Sequence, residues 1–234
     1  MRAILKREFL AYFRAPLGYV FICAMYFFTG YYFFTYNIFN NTTDTSLLFA
    51  MLFSVVLFLV PILTMRLLSE ERRTKTDQTL LTSPVSRFGI VFSKYLAALC
   101  VYTLAISGTL LMAVILHVYS QPYWSVVFGN FTGLFLLGAA LIAVCLFISS
   151  LTENQVIAAV GGFGASLFLI LLDAMQYVVA NRALRIFFNH MSFNGRYRGF
   201  TIGVIGFADV IFFLSIAACF LCLTVVVLER RRWS

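Results

Sequence analysis

This chain is short of charge. Only 11% of its 234 residues are Asp, Glu, Lys or Arg, against about 25% in soluble domains. So few charged side chains cannot cover a water-facing surface, which excludes an ordinary soluble domain. Chains that hydrolyse nucleotide need a glycine-rich loop and a lysine to cradle the phosphates. No glycine here is followed by lysine, so ATP binding by that device is excluded. Histidine is nearly absent. His117 and His190 stand on separate segments, so neither a metal cluster nor a nucleophile–base pair assembles inside the apolar runs. The five cysteines, Cys23, Cys100, Cys145, Cys219 and Cys222, all fall in apolar runs and offer no disulfide framework. Cys219 and Cys222 have the spacing of a redox pair, but without a charged neighbour their thiols are expected to stay protonated and serve packing.

What the chain has is apolar length. It is 62% hydrophobic, with a mean hydropathy of +0.95. A helix that crosses a bilayer needs about 20 apolar residues. Six stretches qualify: 17–39, 47–65, 95–118, 126–148, 156–179 and 207–228. Backbone polar groups in lipid must be satisfied within the segment, so the spans are expected to be helices. Pro61 falls late in the second and is expected to kink it. The fold class expected is all-α, a polytopic membrane protein of six transmembrane helices in one domain, 1–234. No cleaved signal peptide is read in MRAILKREFLAYFRAP.

The net charge of +8 does not imply nucleic acid, because the basic residues lie between apolar runs rather than on one water-exposed face. They suit an anionic membrane surface and orient the spans. Arg2, Lys6, Arg7 and Arg14 share a side with Arg66, Arg72, Arg73, Lys75, Arg87 and Lys94, and with Arg230, Arg231 and Arg232. The other side has only Arg182, Arg185, Arg196 and Arg198. Both termini and the loop at 66–94 are therefore expected in the cytoplasm. Residues 2–14 read as a short interfacial helix with Leu5, Phe9 and Tyr12 on one stripe. Residues 181–203 read as an outer interfacial segment, helical through 200, and 149–155 as a tight cytoplasmic turn.

The charge that exists is concentrated. SEERRTKTDQTLLTSPVS, 69–86, carries Glu70, Glu71, Arg72, Arg73, Lys75 and Asp77. Plain anchoring at headgroups explains the basic residues but not the acids. Together with KREFLAYFRAPLGYVF, SSLTENQVIAAVGGF, RGFTIGVIGFADVIFFLS and LTVVVLERRRW, this segment resembles ABC-2-type permeases, the membrane subunits of ATP-binding-cassette exporters. The branch most similar is the gliding-motility and copper-site-maturation type. The family's loop pattern is matched at Glu70, Glu71, Arg72, Arg73, Thr76, Leu80, Leu81, Ser83 and Pro84, while Lys75 replaces a usual glycine and Gln78 a usual glutamate.

The resemblance implies an elbow helix at 2–14, a second permease copy or homologous permease alongside, and a separate ATP-binding subunit docked below. ATP and Mg2+ would belong to that subunit, with no cofactor or catalytic residue in this chain. The residues it implies for ATPase coupling are Glu70, Glu71, Arg72, Arg73, Thr76, Leu80, Leu81 and Pro84, with Glu153 and Asn154 of the turn. The function implied is export driven by the partner ATPase in a bacterial cytoplasmic membrane. The alternative is ATP-driven mechanical coupling to an extracytoplasmic membrane partner without translocation. A self-sufficient intramembrane enzyme or channel lacks the clustered residues it would need.

Two acids lie within the spans. Asp173 is a candidate intramembrane functional residue because a carboxylate there is costly, unless it reaches water or pairs with Arg182 or Arg185. Asp209, nearer a span end, is a weaker candidate. The outer half of the first span has nine aromatics in YFFTGYYFFTYNIF, read as an interfacial belt. Gly129 and Gly133, and Gly161, Gly162 and Gly164, are read as close-packing positions.

Overall fold

The computed structural model describes residues 2–74, 86–119, 123–178 and 181–230, except for a few side chains near the helix ends at 2–3, 119, 176–178, 182–183 and 186–187. Among the described residues there is no strand. Helix α1 is Arg2–Arg14; α2 is Pro16–Tyr32, prolonged by a π-helical turn at Phe33–Ile38. There follow α3 (Ser46–Thr64), α4 (Ser69–Arg73), α5 (Arg87–Tyr119), α6 (Trp124–Leu151), α7 (Gln155–Val178), α8 (Arg182–Met191), α9 (Phe193–Thr201) and α10 (Phe207–Arg230). Six of these regions are long and apolar enough to cross a membrane, those built on α2, α3, α5, α6, α7 and α10. They coincide with the six expected spans.

α6 is the centre of the bundle. It packs against α3, α5, α7, α9 and α10 and is buried along most of its length, whereas α7 and α10 leave most of theirs exposed. Its small residues explain the position. Gly129, Gly133, Gly138, Ala139, Ala140 and Ala143 let neighbouring backbones come close, and close approach replaces the hydrophobic drive that lipid removes. Tyr102 of α5 fills the space over Gly138, and its hydroxyl donates to the Leu134 carbonyl at 2.7 Å.

Several expectations are corrected. The helix that holds the third expected span begins at Arg87, eight residues before Tyr95. Between Arg87 and Lys94 only Ser93 and Gly89 interrupt apolar residues, so nothing stops the helix, and Lys94 is neutralised in place. The segment at 181–203 holds two helices rather than one. Ser192 caps the second, its Oγ accepting the Gly195 amide at 2.8 Å. That second helix, α9, buries Phe193, Tyr197 and Phe200 as a plug against α3 and α6. Tyr197 donates to the Phe49 carbonyl at 3.0 Å. Gly129 and Gly133 do permit close packing, and their neighbour is this plug: a Cβ on Gly133 would meet the Phe200 Cβ at 2.6 Å. Gly162 packs over Pro61, but Gly164 faces open space. Cys219 and Cys222 are exposed on α10 and pack no core within this chain.

Candidate functional site

The charged residues gather at the end of the bundle where α1, α4, the start of α5 and the end of α10 meet. α4 is a short helix whose acids, Glu70 and Glu71, precede its bases, Arg72 and Arg73. That order suits the helix dipole. Its start is fixed from α6. The Ser149 Oγ accepts the amides of Leu68 at 3.3 Å and Ser69 at 3.2 Å and donates to the Met65 carbonyl at 3.2 Å. The Ser69 hydroxyl donates to the same carbonyl. Both serines are fully buried, so the reversal of chain after α3 is saturated with hydrogen bonds where unpaired backbone amides would be costly.

Each charge on α4 has a different surrounding. Glu70 forms a bidentate pair with Arg66, at 2.6 and 3.0 Å. Arg72 spans to the turn between α6 and α7, reaching Glu153 at 3.2 Å and the Ser150 carbonyl at 3.4 Å. Arg73 is exposed. Glu71 turns inward. It lies 2.8 Å from Lys94 Nζ and 3.4 Å from Arg7. Lys94, 1% exposed, also reaches Glu8 at 3.3 Å and donates to the Leu67 carbonyl at 2.9 Å. Arg7 closes the ring on Glu8 at 2.9 Å.

A four-charge cluster thus joins α1, α4 and α5. Burying one charge alone would cost several kcal/mol, so Lys94 persists there only because two carboxylates and a carbonyl surround it. Beside the cluster, Tyr12 of α1 donates to the Leu63 carbonyl at 3.0 Å, and burial pushes its phenol above the usual range. A further pair, Arg87 with Glu229 at 3.0 Å, ties α5 to the end of α10.

The sequence-predicted residues are therefore brought together in part. Glu70, Glu71, Arg72, Arg73 and Glu153 occupy one end of the bundle. Asn154 is beside them, but its side chain accepts the Val156 amide at 2.9 Å, which is the work of a cap on α7. Thr76, Leu80, Leu81 and Pro84 lie outside the described residues. Sequence reasoning missed Arg7, Glu8, Lys94 and Ser149. One signal was available: Glu8 is the only acid in an otherwise basic N-terminal helix.

The two intramembrane acids separate. Asp209 pairs with Arg196 at 2.9 Å, and that guanidinium also covers the Phe212 ring at 4.4 Å. Asp173 makes no ion pair with a described residue, Arg185 included. Instead its Oδ2 accepts the Asn194 amide at 3.2 Å, with the Ser192 hydroxyl and Phe193 amide also near the carboxylate. It caps the plug helix α9. Its Oδ1 is buried without a hydrogen-bond partner.

No curated protein matches this chain. Comparison with protein families matches residues 4–171, more than half of the chain, to ABC-2 family transporter protein. That stretch takes in most of α1, all of α4, the turn at Glu153, four of the six candidate spans whole and most of a fifth, and the chain belongs to this family of multi-pass ABC transporter permeases.

Proposed function

We propose that this chain is the permease half of an exporter driven by ATP hydrolysis in a separate ATP-binding subunit, which binds the charged end of the bundle. The observation that carries the reading is the bond of Arg72 to Glu153 and the Ser150 carbonyl. It links α4 to the α6–α7 turn, while Ser149 fixes the start of α4 to α6. A partner pushing on α4 therefore pushes on the central helix, and through Glu71 and Lys94 on α5 and α1. A loop that only anchors at headgroups has no need of these bonds.

In this reading the whole chain is one membrane domain in a bacterial cytoplasmic membrane, with both termini in the cytoplasm. A second permease copy stands alongside, ATP and Mg2+ belong to the partner, and the branch is the gliding-motility and copper-site-maturation type. Orientation is tested by single cysteines in a background lacking the native ones. Thr43→Cys and Asn194→Cys should react with an impermeant maleimide from outside, and Asn154→Cys only from inside. Outside labelling at 154 sinks the reading. Reconstitution with the ATPase then decides the outcome: stimulated hydrolysis without translocation would make the complex a mechanical coupler.

A further inference from the structure

A cavity of about 440 Å3 opens between α3, α7 and the plug helix α9, at the end of the bundle away from the termini. Its size falls within the range of small-ligand sites. Phe53, Asp173, Tyr197 and Thr201 are buried in its floor, while Ile170, Ala174 and Arg198 stand exposed at its edge. Among its lining residues the only charges are the Asp173 carboxylate and the Arg198 guanidinium. They make no ion pair with each other.

Asp173 spends one oxygen on capping α9 and leaves the other without a donor. Few buried polar atoms in a native protein go unpaired, and each asks for a reason. In this case the second oxygen is enclosed. Asp173 itself lines the cavity and is 8% exposed, so a partial turn of the carboxylate about its soft χ2 torsion swings the unpartnered oxygen toward the opening.

The charges select the ligand. A bare cation suits Asp173 but is repelled by Arg198, and a bare anion meets the converse. A neutral molecule carrying one ammonium and one phosphate satisfies both, through charge-assisted hydrogen bonds. The position adds the source. Helix α7 ends at Val178, about 8 Å beyond Asp173 at ~1.5 Å per residue, so the carboxylate lies near the end of its span, within reach of a headgroup. Below it Leu167, Ile170 and Leu171 are exposed along α7, in line to meet acyl chains.

We infer that the cavity among Asp173, Asn194 and Arg198 binds the headgroup of a zwitterionic aminophospholipid, with its ammonium on Asp173 and its phosphate on Arg198. The inference does not depend on transport, because binding is read without ATP or a partner.

The test is calorimetric titration of the purified chain in detergent with short-chain dihexanoyl lipids. The phosphatidylethanolamine should bind at least about tenfold more tightly than the phosphatidylcholine, whose quaternary ammonium has no N–H, and than the anionic phosphatidylglycerol. D173N keeps an acceptor for the Asn194 amide and so keeps the cap, but it should erase the preference for ethanolamine over choline. R198Q should weaken both of those lipids alike, since they share the phosphate. Equal binding of all three headgroups by the unmodified chain overturns the inference without recourse to any variant. So does an ethanolamine preference that survives D173N. Binding of water-soluble phosphoethanolamine as tight as that of the lipid would assign the site to a free zwitterion and overturn the lipid assignment.

Discussion

Lys94 stands 2.8 Å from Glu71 at a position that is 1% exposed, and it is the pivot on which the elbow helix, the short charged helix and the third span meet. Removing one partner of a buried pair leaves an uncompensated charge, at a cost of about 3–5 kcal/mol. In K94M, Glu8 keeps Arg7 at 2.9 Å, whereas Glu71 loses its 2.8 Å contact with Lys94. K94M should lower stability by about 3 kcal/mol, read by denaturant titration in detergent. K94M/E71Q should recover part of that loss. Equal stability of K94M and the parent would show that the cluster holds nothing.

Ser149 offers a cleaner test, because its hydroxyl is small and its partners are backbone. S149A leaves the Leu68 and Ser69 amides without their acceptor. Two buried unsatisfied donors should cost about 2–4 kcal/mol together if no water replaces the hydroxyl. The effect should be local first. Hydrogen exchange over 66–74 should rise in S149A while the α5 amides stay protected. Uniform loss of protection along the whole chain would refute the idea of a local clamp.

The glycines give opposite outcomes from the same substitution. G133A drives a methyl into Phe200 of the plug helix, and overpacking of this kind costs about 1–3 kcal/mol. G164A meets nothing within 4 Å and replaces glycine in a helix interior, where alanine is favoured by up to about 1 kcal/mol. Thermal unfolding in detergent should place G133A below the parent and G164A at or above it. The reverse order would mean that α9 does not sit against α6.

The ease with which these features could be read from residues alone differs for physical reasons. Six apolar runs declare six helices because lipid leaves no other way to satisfy the backbone. The charged segment declares itself by contrast with its surroundings. Lys94 does not, since a lone lysine before an apolar run looks like the end of a loop. Only its distant partners, Glu8 and Glu71, let its charge be buried there. The plug helix hides for a similar reason. Phe193, Tyr197 and Phe200 follow helical spacing, but Arg196 and Arg198 lie between them, so the segment reads as a helix resting on a membrane surface. Nothing local shows that its apolar face enters the bundle over Gly129 and Gly133. Asp173 was legible as unusual. Its work as a cap was not, because the cap belongs to a helix that starts twenty residues later.

The final prediction ranks substitutions at the charged end. If the segment from 69 to 86 engages an ATP-binding subunit, its leucines should enter that subunit and its charges should lie around the contact. L80D/L81D would bury unpaired carboxylates and should abolish co-purification of the ATPase. R72A should come next. It releases both Glu153 and the Ser150 carbonyl, so α4 loses its hold on the α6–α7 turn, although a partly exposed pair is worth about 1 kcal/mol or less to stability. R73A should do least, because an exposed edge charge mainly changes association rate and salt dependence. E153R alone should mimic R72A, and R72E/E153R should restore coupling if the pair is what transmits force. The measurement is ATPase recovered with each variant at matched expression, followed by the hydrolysis rate of the complex. A headgroup anchor predicts another order, with R73A and R72A both severe and L80D/L81D mild. That order would leave the segment as a tether and remove the ATPase from this face.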